Sequence, residues 1–245
     1  MGISLNPEHL KRYKDIAALF FKYGRSDLVK SAGLEDAILL DEQANGNSRK
    51  APDAKELVQD LEAMGPTYVK LGQLLSTRAD LIPEPYLDAL ARLQDDVEPI
   101  SFEEVEEVVT SELGVRLSKA FAEFNPKPIA AASLGQVHSA TMRDGRLVVV
   151  KVQRPNIRNS IAQDFEALGE IAAFLDKHTQ MGRRYEFERI LNEFRKSILR
   201  ELDYRIEAKN LITIGKNLDG IDMIIVPTPI EDAIRDELDT LFGEA

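Results

Sequence analysis

A run of small residues, Ala130, Ala131, Ala132 and Ser133, leads into residues 137–142, which read as a strand. Asp144 and Gly145 then form a tight turn, and residues 147–152 form a β-branched strand carrying one lysine, Lys151. This stretch constrains the chain more than any other. A small-residue loop beside a lysine-bearing strand is the layout of a nucleotide clamp, in which the loop covers phosphates and the lysine, steadied by a helix glutamate, contacts them. The competing reading is a hairpin with an exposed lysine. The partner helix has to decide between them.

Helical patterning surrounds the hairpin. Residues 10–23 place Leu10, Tyr13, Ala17, Phe20 and Phe21 near one helical face among basic residues. Such a helix either packs on the body of the protein or lies on an anionic membrane surface. Residues 41–54 are polar and read as a linker, which sets off a segment 1–52. Helices follow over 57–64, 67–78 (opened by Gly65-Pro66), 86–93 and 105–113, the last with a Ser101/Glu104 capping box and Gly114 as its stop. Leu117, Phe121 and Phe124 suggest a further helix ended by Asn125-Pro126. Beyond Lys151, Ile161, Phe165, Leu168, Ile171, Ala172 and Leu175 trace a helical stripe, and a long helix spans 186–211. Residues 223–226 read as a short strand, and residues 231–245 carry helical spacing among acidic residues. The expected divisions are 1–52, 53–125, 126–230 and 231–245.

Charge and composition narrow the classes. The net charge of −11 argues against nucleic acid as a partner, and 44% hydrophobic content suffices for a core in 245 residues. Residues 1–30 run the other way, with six basic residues against three acidic. Without cysteine there are no disulfides or thiolate metal sites, and His9, His138 and His178 lack metal-ligand spacing. No apolar run is long enough to span a membrane, and the start lacks a signal-peptide core. The expected location is the cytoplasm, or the periphery of the inner membrane face.

Three carboxylates lie on the long helix: Glu201, Asp203 and Glu207, the last two four residues apart and so on one face. They fit an ion-paired phosphate clamp, and equally a solvated charged face beside Arg200 and Arg205. Upstream, Lys70, Gly72 and Gln73 open a string that continues through Arg78, Asp80, Pro83, Tyr86 and Leu93. Gly72 permits close helix packing there.

This string, the alanine-rich loop, Lys151 in Val-Lys-Val-Gln-Arg-Pro, and Glu201-Leu-Asp203-Tyr with Glu207-Ala occur in an order that resembles the UbiB-type (AarF/ABC1/UbiB/ADCK) family of atypical kinases, over about residues 55–230. The resemblance implies an α+β chain: an all-α extension, then a kinase-like N-terminal lobe with a small antiparallel sheet and a long helix. It implies that Lys151 contacts the phosphates of ATP or ADP, with Glu207 as its partner, and that Ala130, Ala131, Ala132 and Ser133 replace a glycine-rich loop. Alanine restricts positive φ and close approach to phosphate, so the loop is expected to be stiff. Lys70 and Gln73 would belong to an extension folded over the active site, tied to the core by Glu201 and Asp203, with Glu201 facing Lys70.

Phosphoryl transfer further requires a catalytic-loop aspartate and asparagine and a metal-holding Asp-Phe-Gly after the helix glutamate. Neither motif follows Glu207; His178 precedes Thr179-Gln180, and Asp164-Phe165 precedes Glu166. The C-terminal lobe is therefore expected to be missing, nucleotide binding to be weak, and magnesium to require a complete lobe. Three functions are in view: the nucleotide-binding portion of a UbiB-type kinase or ATPase supporting ubiquinone synthesis, a non-catalytic pseudokinase-like module acting through its helical surface or basic N-terminus, or a peripheral membrane protein acting through residues 10–23. A membrane surface and quinone-biosynthesis proteins are the expected partners besides nucleotide.

Overall fold

The computed structural model describes residues 7–23, 53–93, 97–221, 223–230 and 238–242. It is an α+β chain that divides into two compact units, residues 1–94 with 159–196, and residues 95–158 with 197–245. The expected linker, apart from Asp53 and Ala54, lies outside the described residues, as do 231–237 and 243–245.

In the first unit, α1 (Pro7–Tyr23), α2 (Ala54–Met64), α3 (Pro66–Leu75) and α4 (Glu84–Leu90) pack with α7, which spans Ile157–His178. Asp53 caps α2 through the N–H of Lys55, and Gly65, at φ +106°, ends it and hands over to Pro66 at the start of α3. Ile16, Tyr23, Leu57, Leu61, Tyr68, Val69, Leu90 and Ala167 form one core. A Cβ on Gly72 would sit 2.3 Å from Leu93 Cδ1 and 3.0 Å from Leu61 Cδ1, so only glycine lets α3 lie this close. Helix α1 is thus packed, as one of its two readings required. Its buried anchors are Ile16 and Tyr23, each 2% exposed. Tyr13 is partly buried against the core, whereas the side chains of Leu10, Ala17, Phe20 and Phe21 lie outside the described residues.

The second unit starts from α5 (Phe102–Leu113), whose capping box uses Ser101 and Glu104 and whose stop is Gly114 at φ +68°. Residues 117–124 are not one helix. A single turn, α6 (Leu117–Ala120), gives way to β1 (Phe121–Phe124), because Phe121 and Phe124 are used as strand residues against Met142 and Ala140. The hairpin follows as β3 (Gly135–Met142) and β4 (Leu147–Gln153), turned by Gly145 at φ +89°. Ala130–Ala131 is a short strand, β2, paired to β3.

Two elements near the C-terminus differ from the expected ones. Residues 223–227 form no strand; β5 is Thr228–Pro229. Within 231–245, residues 238–242 form strand β6, not a helix, antiparallel to both β4 and β5. The helical spacing of Leu238, Leu241 and Phe242 loses to the backbone hydrogen bonding that the free edge of β4 offers. Sheet order is β1-β3-β4-β6-β5, with β2 also on β3. Val148, Val150 and Val152 join Val105 and Val109 of α5 in one core, so the two-residue strand period turns Lys151 to the other face.

Candidate functional site

The long helix expected over 186–211 is two helices, α9 (Phe187–Glu201) and α10 (Tyr204–Asn217), preceded by the short α8 (Gln180–Tyr185). The break has a clear cause. The Leu202 carbonyl accepts from Gln153 Nε2 and from Arg158 Nη2, each at 2.6 Å, and Asp203 leaves the helix to cap α10 through the N–H of Arg205. Asp203 and Glu207 therefore do not share a helical face. Asp203 is a cap paired with Arg205 Nε at 3.2 Å; burial raises its carboxyl, but the hydrogen bonds and charge of Arg205 outweigh that and hold it below the usual range.

The restart at Tyr204 sends one turn of α10 beneath β4. Lys151 Nζ meets Glu207 Oε2 at 2.6 Å, and the same ammonium lies 4.6 Å from the ring centre of Tyr204. Lys151 is 30% exposed and Glu207 39%, so the pair is accessible from solvent.

The alanine-rich segment is closed by its own backbone. Ala130 and Ala131 pair with Val137 and Gln136, and the N–H of Ala132 donates to the Gly135 carbonyl at 2.7 Å. Ser133 is buried. Arg154 locks the turn from outside: its Nε donates to the Ala132 carbonyl at 3.1 Å, its Nη2 to the Glu98 carbonyl, and its own N–H to the Leu134 carbonyl. Burial pulls the Arg154 guanidinium below its ordinary value, with Glu104 acting against it. The Ala132 amide is committed within the loop, and Lys151 on β4 keeps a part-exposed ammonium. Sequence reasoning missed both Arg154 and Tyr204, although each sits inside a quoted motif.

A second buried network underlies the sheet. His138 Nδ1 donates to the Asn125 carbonyl at 2.8 Å, and its Nε2 accepts from Gln136 Nε2 at 2.8 Å, while Gln136 Oε1 accepts from the N–H of Ile100. A carbonyl can only accept, which fixes the Nδ1–H tautomer. Burial lowers the His138 pKa, partly opposed by the Asn125 hydrogen bond.

Of the remaining expected site residues, Lys70 and Gln73 are half-buried on α3 in the first unit, where Gln73 Nε2 donates to the Leu93 carbonyl at 3.4 Å. Glu201 ends α9, exposed, in the second unit. Asp164, part of the near-miss Asp-Phe-Glu, is a structural group: 2% exposed, it accepts from Arg12 of α1 and from Thr67 of α3. The first unit also holds a cleft of about 690 Å³ along α1, α2 and α7, rimmed by Arg12, Lys22 and Asp60. Lys22 pairs with Asp60 at 2.7 Å and Glu56 at 3.3 Å, so its charge is neutralised locally. Among the described residues, no cluster of three or more His, Asp or Glu is placed to hold a metal ion.

Residues 92–238 match the family model described as the ABC1 atypical kinase-like domain. The chain belongs to this family. Among curated relatives of the ABC1 family, the probable protein kinase UbiB of Aliivibrio fischeri is 34% identical over 96% of this chain and 44% of its own length. That of Cellvibrio japonicus is 42% identical over 68% of the chain and 30% of its length. An uncharacterised Synechocystis protein, sll1770, is 40% identical over 73% of the chain and 31% of its length. The chain therefore spans less than half the length of these relatives. Among solved structures, it is similar to Rv3197 of Mycobacterium tuberculosis, in complex with erythromycin, with a TM-score of 0.47 and 27% identity over 86% of this chain and 51% of that one.

Proposed function

We propose that this chain is the nucleotide-handling part of a UbiB-type atypical kinase or ATPase that supports the synthesis of quinone lipids. The observation that carries the reading is the 2.6 Å contact between Lys151 and Glu207 on the open face of a five-strand path flanked by α10. An exposed ion pair contributes about 0–1 kcal/mol to stability, which makes it a poor reason for keeping a lysine amid the apolar residues of β4. A phosphate ligand is a better one. The glutamate attracts the ammonium to this face, and the ammonium supplies a point charge to the phosphates of ADP or ATP.

The residues fit such a ligand in a particular way. With the Ala132 amide committed inside its own turn, the backbone offers phosphate one donor fewer and more of the binding falls to the lysine. Affinity is accordingly weak, and discrimination between ADP and ATP differs from that of a glycine-rich loop. Magnesium, where present, would be carried by the nucleotide.

The test is thermal stability with and without nucleotide. A ligand at five times its Kd adds about 1 kcal/mol to the folded state, a rise of roughly 2–4 °C in Tm for a chain of this size. We expect a rise of that order with millimolar ADP, and its loss in both Lys151→Ala and Glu207→Gln. An unchanged rise in Lys151→Ala would remove the phosphate role from that lysine.

A further inference from the structure

We propose that Tyr204 is the positioning residue of this site: its ring is a fixed, desolvated wall that holds the Lys151 ammonium towards the ligand, in line with the alanine-rich turn. The proposal deepens the nucleotide reading and rests on it for the identity of the ligand.

Glu207 alone is a weak guide. It is more than a third exposed, and a lysine with four rotatable bonds sheds little freedom to a partner that itself moves in water. Tyr204 differs in every respect. It is 1% exposed, its ring centre is 4.6 Å from Lys151 Nζ, and its backbone opens α10 directly after the break that Gln153, Arg158 and Asp203 enforce. The other end of the ring is equally constrained. A Cβ on Gly135 would lie 2.8 Å from Tyr204 Oη and 2.5 Å from the Val152 carbonyl oxygen, so the hydroxyl abuts the first residue of β3. Gly135 also accepts the Ala132 N–H that closes the turn. Turn, tyrosine and ammonium thus stand in series, and the ammonium is gripped on two sides, by carboxylate and by ring face. The Lys151 side chain keeps 30% of its surface exposed, and a phosphate oxygen would approach through that exposed part.

The experiment uses the full chain, labelled with isotopically enriched lysine, and follows the Lys151 Hε signals, assigned by their loss in Lys151→Arg. Above a tyrosine ring these signals lie upfield of the other lysines. They should remain there in Tyr204→Phe and return to the common position in Tyr204→Leu. With ADP as ligand, Tyr204→Phe should bind within about two-fold of the unmodified chain, whereas Tyr204→Leu should bind about 3- to 30-fold more weakly.

Lys151 signals without an upfield shift in the unmodified chain overturn the proposal, and this comparison stands even if Tyr204→Leu does not fold. So does a shifted signal combined with unchanged ADP affinity in Tyr204→Leu. If the unmodified chain fails to bind ADP, the nucleotide reading falls by itself, while the Phe and Leu spectra still decide whether Tyr204 holds the lysine.

Discussion

At the scale of single residues, the unusual features of the second unit are positions where one atom decides the geometry. Gly135 is the clearest. Alanine there would drive its methyl into the Val152 carbonyl, which belongs to the strand that carries Lys151 and has nowhere to retreat. Gly135→Ala is expected to cost about 1–3 kcal/mol by overpacking and to abolish the nucleotide-dependent Tm rise; chemical denaturation with and without ADP reads both. His138 makes a different prediction. Its folded pKa lies below the unfolded value because burial disfavours the imidazolium and Nε2 faces an amide NH₂ that can only donate. Between those two values the unfolded chain binds the extra proton, so stability is intact above about pH 6.5 and falls on acidification below it. Replacing His138 by Gln should flatten that segment of the stability curve, whereas the decline below about pH 4, where carboxylates such as Asp203 are driven to take up protons against their lowered pKa, should persist. A variant whose stability falls on acidification just below about pH 6.5 as steeply as that of the unmodified chain would refute this account.

At the scale of elements, the break between α9 and α10 shows what was legible and what was not. The apolar stripe through Phe194, Ile198 and Leu202 is helical, and Glu201, Asp203 and Glu207 stand out as acids in the sequence. Periodicity carries straight through the break. The break itself depends on Gln153 and Arg158, some 45 residues away in the chain, capturing the Leu202 carbonyl. No local signal reports that, although Asp203 ahead of Tyr-Arg is, in retrospect, a serviceable N-cap. The capping box at Ser101, the stop at Gly114, the turn at Gly145 and the strand of Lys151 were all readable because their causes are local. Phe121–Phe124 and residues 238–242 were misread as helical for the opposite reason: both become strands only because an edge of the sheet accepts them. Leu202, fully buried at the break, ties the segment to the core, so Leu202→Ala is expected to lower stability by about 2–5 kcal/mol. Gln153→Leu, which frees the Leu202 carbonyl from one donor, should move Tyr204 enough to relax the ring-current shift at Lys151. A normal shift in Gln153→Leu would mean that Arg158 and Asp203 suffice.

At the scale of the whole molecule, the chain carries −11 overall, yet its first thirty residues are basic, and no described helix is long and apolar enough to cross a membrane. Whether α1 meets a membrane surface is therefore a question of competition. To lie on lipid it must leave a core in which Ile16 and Tyr23 are each 2% exposed, at about 1.5–3 kcal/mol apiece, and must also surrender the Arg12–Asp164 ion pair. Basic residues at an anionic surface return about 1 kcal/mol each, a contribution that shrinks with salt. The lipid side is strongest at low salt, and the docked helix is favoured near physiological ionic strength. The expected outcome is that the unmodified chain sediments with phosphatidylserine-rich vesicles in low salt and is released as salt rises. Asp164→Asn leaves every residue of α1 in place but weakens its anchor. That variant should lose stability and bind the same vesicles more tightly than the unmodified chain at each salt concentration. Equal vesicle binding by the two chains, with Asp164→Asn shown to be destabilised, would mean that lipid and core do not compete for α1, and that the basic charge of the N-terminal region serves the fold alone.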